Sequence, residues 1–411
     1  MTSINHHVLA KTTTDAILSN FKSGEWTYGE GLGADFYRTG TPADFPSPDA
    51  AFYDPTNKKL AYFEFKPETE TKRGILTGVG QSIAYLQNSD MSYLVVPKTL
   101  SGFNLEEYLL DLYNTQLENK LPTGVITYDN MDPTKVTMLS GIKNLSDKTK
   151  TRNVTSSDRF WAKHQDLPIP LFHLLLHYYY LAKVGALTED PFAVFFKKEL
   201  ISDTVLTDFD TRSVCDMQGN YIHTLAGRKQ FMVLEKKLGI AKSMDPIEGK
   251  QMIEHAINTE FSGDNLYNAY KKNFVSFLKH MHMIDSTNKL TESGFNMYTL
   301  GLNNGPNSKI FKDYFIKELL TTGHHLDLIL DYDRVLHKMP GESITKVLSL
   351  MQDEYDEKGY LKKNPKRIRG NESTVSFLKY ERILWKALGV TDENNNVNWR
   401  LITEICSLPE L

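Results

Sequence analysis

Apolar residues in the first 140 or so positions change period several times, and each change marks an element. Over residues 8–22, VLAKTTTDAILSNFK, they fall at helical spacing and predict a first helix. A Gly-rich turn from Gly24 to Gly33 ends it. Strand patterns follow at 34–39, 50–53 and 59–65, and Asp54-Pro55-Thr56-Asn57 between the last two is hairpin-turn chemistry. Residues 75–88, ILTGVGQSIAYLQN, return to helical period, weakened near their start by Gly78 and Gly80. Residues 91–96 form a buried-strand pattern stopped by Pro97. Residues 103–119 read as an amphipathic helix, and 124–128 and 136–139 as further strands. This order predicts one α/β domain over residues 1–145, a mixed sheet flanked by helices.

The stretch 141–158, GIKNLSDKTKTRNVTSSD, is polar, and a linker is expected at about 146–160. Residues 161–411 read as a mostly α region, with subdivisions near 265–300 and 330–411. Residues 171–184, dense in Leu, His and Tyr, predict a buried helix. Over 274–298 an apolar helix ends at Met283-Ile284, a polar turn follows, then Lys289-Leu290-Thr291 and a Gly. A recognition helix, a two-strand wing and a following helix are written this way in winged helix-turn-helix modules. A related layout recurs at 375–402, with Leu388-Gly389-Val390, an Asn-rich turn and Val397-Asn398-Trp399, and LAKVGALTED at 181–190 echoes it faintly. The plainer alternative is a helical bundle with no nucleic-acid role.

Composition narrows the class. The 411 residues hold 47 Lys and Arg against 51 Asp and Glu, a formal charge of −4. Such a balance excludes a uniformly basic, histone-like protein. Residues 1–150 carry 14 basic and 18 acidic residues, and the remainder carries 33 of each, so the net acidity lies in the first third. The two cysteines, Cys215 and Cys406, form no CxxC, which excludes a disulfide framework and a cysteine zinc cluster. Neither a signal-peptide pattern nor an apolar run of membrane-spanning length occurs, so a cytoplasmic location is expected, with no membrane partner.

The chemistry concentrates in PDAAFYDPTNKKLAYFEFK, residues 48–66. Side chains alternate along a strand, so Glu64 and Lys66 share a face while Phe63 and Phe65 take the other. A hairpin brings Asp49 alongside Glu64. Two carboxylates and an ammonium then converge at one edge of a sheet. Hard oxygen ligands on a rigid sheet suit Mg²⁺, which polarises a phosphodiester and lowers the pKa of a bound water. A lysine beside that water can orient or deprotonate it, or offset charge on phosphorus.

In Pro48-Asp49 and Glu64-Phe65-Lys66, and in the element order around them, the chain resembles the PD-(D/E)xK nucleases, which include most type II restriction endonucleases. Gln81-Ser82-Ile83-Ala84-Tyr85 resembles the QxxxY element of their RecB-like branch, with Gln81 and Tyr85 on one helix face. The resemblance covers about residues 5–100. It implies a restriction-endonuclease-like core with Asp49 and Glu64 as metal ligands, the Phe65 backbone carbonyl as a further ligand and Lys66 as the catalytic lysine. Gln81 would border the active site. Many members add an acid from the first helix or just after it, for which Glu30, then Glu25, are candidates. Mg²⁺, with Mn²⁺ as a substitute, is the implied cofactor.

A second feature concerns binding. Residues 358–371, KGYLKKNPKRIRGN, hold Lys358, Lys362, Lys363, Lys366, Arg367 and Arg369 with Tyr360 among them and no acid. Such a cluster can neutralise phosphates, and its arginines could read guanine edges. It equally suits a solvated loop balancing the preceding DEYDE. Arg152, Lys163, Lys271 and Lys272 are weaker candidates. Gly29-Glu30-Gly31-Leu32-Gly33 lacks the strand and GK[ST] of a phosphate loop, and the histidines form no HExxH.

The expectation is a Mg²⁺-dependent, sequence-specific double-stranded DNA endonuclease of restriction type, leaving 5′-phosphate and 3′-hydroxyl ends. A homodimer on a palindrome is one arrangement, and a restriction role implies a cognate DNA methyltransferase. The alternatives are a structure-selective or defence nuclease without sequence specificity, and a DNA-binding regulator with an inactive nuclease fold.

Overall fold

The computed structural model describes residues 3–29, 32–117, 120–142, 145, 159–164, 167–200, 208–209, 214–215, 221–223, 232–259, 267–361 and 377–409. In the N-terminal part, α1 (Ser3–Lys22) is followed by β1 (Tyr37–Thr39), β2 (Ala50–Asp54), β3 (Lys59–Phe65), α2 (Lys72–Tyr85), β4 (Met91–Pro97), α3 (Leu105–Leu112), β5 (Thr123–Tyr128) and β6 (Val136–Ser140). The six strands form one mixed sheet in chain order. β1–β2, β2–β3 and β5–β6 pair antiparallel, while β3–β4 and β4–β5 pair parallel. Each parallel step needs a crossover, and α2 and α3 supply them.

The β2–β3 turn shows why the hairpin forms where it does. The Asp54 carboxylate accepts the amides of Thr56 and Asn57, and the Tyr28 hydroxyl donates to it at 2.7 Å. Both faces of β3 are buried. On one face Phe63 stacks on Tyr93, and Phe52, Phe36 and Phe21 of α1 pack around them edge-on or tilted. On the other, Ile75 of α2 and Leu105 and Leu109 of α3 cover Leu94, Val96 and Val125. The sheet lies between α1 and the crossover helices.

The chain groups by contact into two units, residues 1–162 with 319–408, and 163–318 with 409–411. This boundary differs from the sequence reading, in which residues 161–411 stood apart from the sheet. Buried ion pairs account for the difference. Arg38 of β1 meets Asp327 of the helix His325–Lys338 at 2.6 Å, and Lys11 of α1 meets Asp331 at 3.1 Å. Tyr355, from the helix Ile344–Lys358, donates to Asp331, and the Arg38 amide donates to the Gly359 carbonyl. The C-terminal helices therefore complete the unit that holds the sheet.

The second unit is mostly helical. Its helix Ile169–Lys183 is buried at most positions. His173 stacks on Tyr298 of the helix Glu292–Asn304 and bonds its carbonyl, and Gly301 keeps that approach open, since a Cβ there would lie 2.3 Å from the imidazole. Among the described residues no helix is long and apolar enough to cross a membrane.

Among the described residues one small motif appears in each unit. In the second unit, Ile284 bridges Leu290, Asp285 accepts the amides of Thr287 and Lys289, and Thr291 caps the next helix. In the first unit, Thr391 bridges Val397, Asp392 accepts the amides of Asn394 and Asn396, and Asn398 caps the next helix. Asn288 and Asn395, three positions after each Asp, both have positive φ. Each copy has one bridging pair where a two-strand wing was expected.

Candidate active site

The hairpin places Asp49 just before β2, where its amide continues the ladder by donating to the Phe63 carbonyl. Its carboxylate turns back and accepts the Phe65 amide at 2.7 Å. Glu64 sits on the face of β3 covered by α2, and only 4 % of it is exposed. One of its oxygens accepts from Lys66 Nζ at 2.7 Å, and the other accepts from the Tyr85 hydroxyl. Lys66 Nζ also donates to Gln81 Oε1 at 2.9 Å.

The structure thus brings Asp49, Glu64, Lys66, Gln81 and Tyr85 together. Thr71 starts α2 by accepting the Gly74 amide, and that start sets the phase that points Gln81 and Tyr85 at β3. Three residues before Gln81 lies Gly78. A Cβ there would meet Leu94 at 2.8 Å and Lys66 Cε at 2.9 Å, so the bare position lets the lysine stem pass under the helix. Tyr128 donates to the Lys66 carbonyl at 3.1 Å and holds the strand end from below.

The electrostatics are unbalanced. Two carboxylates face one ammonium, and the protein within the site leaves an excess negative charge. Asp49 is open to solvent along one edge. Even so, the protein packed around its carboxyl withdraws water, and with Glu64 beside it the pKa rises; the Phe65 amide and Lys66 only partly oppose this. A group so placed holds a proton or a cation. Burial, then Lys66, lowers the pKa of His6 of α1, which disfavours a compensating charge there, and among the described residues its buried Nδ1 has no hydrogen-bond partner. The donor set fits a hard divalent ion, with Asp49 and Glu64 as oxygen ligands. Among the described residues no cluster of three or more His, Cys, Asp or Glu side chains suited to a metal occurs, so there the carboxylate ligands are Asp49 and Glu64 alone.

The remaining candidates are placed as follows. Glu25 is exposed in the turn after α1, and no hydrogen bond or ion pair among the described residues brings it to the carboxylates. Glu30 lies outside the described residues. Of the basic segment, Lys358 ends the helix Ile344–Lys358, with its Nζ 6.0 Å from the Tyr360 ring centre. Lys362, Lys363, Lys366, Arg367 and Arg369 lie outside the described residues, as do Arg152 and most of the expected linker. Lys271 is held by Asp190 at 3.0 Å. His280 and His325 are buried against carbonyl oxygens, those of Ser276 and Ala162. Sequence reasoning missed Gly78, Tyr128 and His6. A glycine on the Gln81–Tyr85 face of a helix was a readable signal, whereas Tyr128 and His6 needed the tertiary fold.

In comparisons with known proteins, no family model matches the chain and no curated protein matches it.

Proposed function

We propose that this chain is a Mg²⁺-dependent, sequence-specific double-stranded DNA endonuclease of the PD-(D/E)xK superfamily and of type II restriction kind. The observation that carries the reading is the convergence of Asp49, Glu64 and Lys66 at one end of the sheet, with Gln81 and Tyr85 bonded to two of them. A salt bridge on an exposed hairpin would need neither the burial of Glu64 nor the helix residues that orient it.

Asp49, Glu64 and the Phe65 carbonyl would hold the ion, which supplies Lewis acidity toward the phosphodiester and an activated water. The chain's own residues do the positioning. The Phe65 amide fixes the Asp49 carboxylate, and Tyr85 fixes Glu64. Lys66, steered between Glu64 and Gln81, presents an N–H to the attacking water or a non-bridging phosphate oxygen. The turn motifs at Ile284–Leu290 and Thr391–Val397 would serve as winged-helix-like recognition elements, with Lys358, Lys362, Lys363, Lys366, Arg367 and Arg369 on phosphates.

Supercoiled plasmid incubated with Mg²⁺ or Mn²⁺ is expected to give discrete fragments, and EDTA is expected to abolish them. Lys66→Ala should slow cutting by about 10²–10⁴-fold, the range for a positioned proton-transfer group. Undiminished cutting by Lys66→Ala or Glu64→Ala would reject the site. Cutting without discrete fragments would reject sequence specificity.

A further inference from the structure

Phe45 is 94 % exposed and Met131 is 93 % exposed, the two highest values among the large apolar side chains of the described residues. Both lie at the same end of the sheet. β2 runs antiparallel to β3, so the loop entering β2 sits at the end where β3 finishes with Glu64 and Phe65. β4 and β5 run parallel to β3, so the turn leaving β5 sits there too. Asn130 of that turn reaches Glu68, just past β3, and the Thr99 carbonyl, just past β4.

Neither side chain hangs on a loose loop. Phe45 is flanked by Thr41, Pro46 and Pro48, all buried, and the Ser47 hydroxyl bonds the Pro42 carbonyl. The Ser47 carbonyl lies 3.1 Å from the same Tyr85 hydroxyl that holds Glu64. Met131 tops a turn clamped by Asp129, which accepts the Met131 and Asp132 amides. The fold therefore displays two apolar groups on anchored backbone, one on each side of β3. β2 and β5 are three strand positions apart, about 14 Å at the usual strand spacing.

The rim between them carries Asp44, Glu68, Asp129 and Asp132 against Lys98, which follows β4, and Lys135, which pairs with Asp132, so it offers phosphates only a partial grip. Bases offer uncharged π faces instead. Aromatic and thioether side chains inserted at base steps unstack them and bend the duplex, and stacking tolerates any base. Resting on the nuclease reading above, we infer that Phe45 and Met131 are apolar wedges that insert at base steps flanking the scissile phosphate, with Phe45 the principal one because it stands four residues before Asp49.

The probe is supercoiled plasmid, with cut positions mapped by end sequencing. Permanganate, which oxidises unstacked thymines, is then applied to a linear fragment spanning a mapped cut, bound by Lys66→Ala protein in Mg²⁺. Thymines beside the scissile phosphate are expected to become reactive, and to lose that reactivity in the Phe45→Ala, Lys66→Ala double variant. Phe45→Ala alone should lower kcat/KM by about ten- to hundredfold, and Phe45→Trp should restore most of it. Melting midpoints should be unchanged, since an exposed ring contributes little to the core. If Phe45→Ala cuts at the wild-type rate with an unchanged permanganate pattern, the wedge is overturned and the nuclease reading stands. If wild-type protein cuts no plasmid with any divalent metal, the nuclease reading falls and the wedge with it.

Discussion

Asp49 and Asp327 belong to the same unit, and the protein treats them in opposite ways. Burial raises the pKa of both. At Asp327 the Arg38 guanidinium, then His324 and Lys11, outweigh burial and hold the carboxyl well below its ordinary range. At Asp49 nothing outweighs it, because the charge acting on it most strongly is another carboxylate, and its pKa ends above the ordinary value. Arg38 is further covered by the Phe160 ring at 4.2 Å. The first carboxylate is settled by the fold, whereas the second keeps capacity for something the fold does not supply. That difference separates a structural ion pair from a site.

The largest expected effect breaks the settled side. Arg38→Ala strands a buried Asp327 and should lower stability by about 3–5 kcal/mol, read from chemical denaturation, and Mg²⁺ should not restore it. A midsize effect tests the unsettled side. Tyr85→Phe removes a hydrogen bond to the Glu64 carboxylate, worth roughly 1.5–3 kcal/mol. Here Mg²⁺ should recover part of the loss, because a cation relieves the charge that the hydroxyl had stabilised. Equal indifference of both variants to Mg²⁺ would erase the contrast.

The smallest effect is a pH dependence. Asp49 is raised from an ordinary value near 3.8 to about 7. In metal-free protein its contribution to stability is therefore full below the ordinary value and is lost as pH rises through about 7. Mg²⁺ competes with that proton, so apparent Mg²⁺ affinity should rise from pH 6, by less than tenfold per unit because at most one proton is displaced, and level off by pH 8. Calorimetric titration measures it, and Asp49→Asn should flatten the profile. A flat wild-type profile would mean that Asp49 does not hold the ion.

Much of the sheet was legible because its signals are local. The 59–65 strand was read with the bounds of β3, and 91–96 fell one residue short of β4. The Asp54 turn declared the hairpin. The 75–88 helix was displaced: α2 starts at Lys72 because Thr71 caps it, and residues after Tyr85 close in tighter turns, with Leu86 bonding the Ile83 carbonyl. β1 is shorter than 34–39, since the Phe36 amide turns back to the Gly33 carbonyl. At the site, Asp49, Glu64 and Lys66 were readable from strand alternation and the turn, and Gln81 and Tyr85 from i, i+4 spacing. The Arg38–Asp327 pair was not, because 289 positions separate its members and neither carries a local sign of its partner. For the same reason the sequence placed residues 319–408 with the helical region and not with the sheet.

That separation in the chain sets an order of events during synthesis. At about 5–20 residues per second, the ribosome takes roughly a quarter of a minute to a minute to pass from Arg38 to Asp327, a span of 289 residues. Through that interval Arg38 lacks Asp327, and Lys11 has Asp15 of its own helix but not Asp331. The unit that carries the carboxylate pair therefore cannot close until the helices of residues 319–408 have been made.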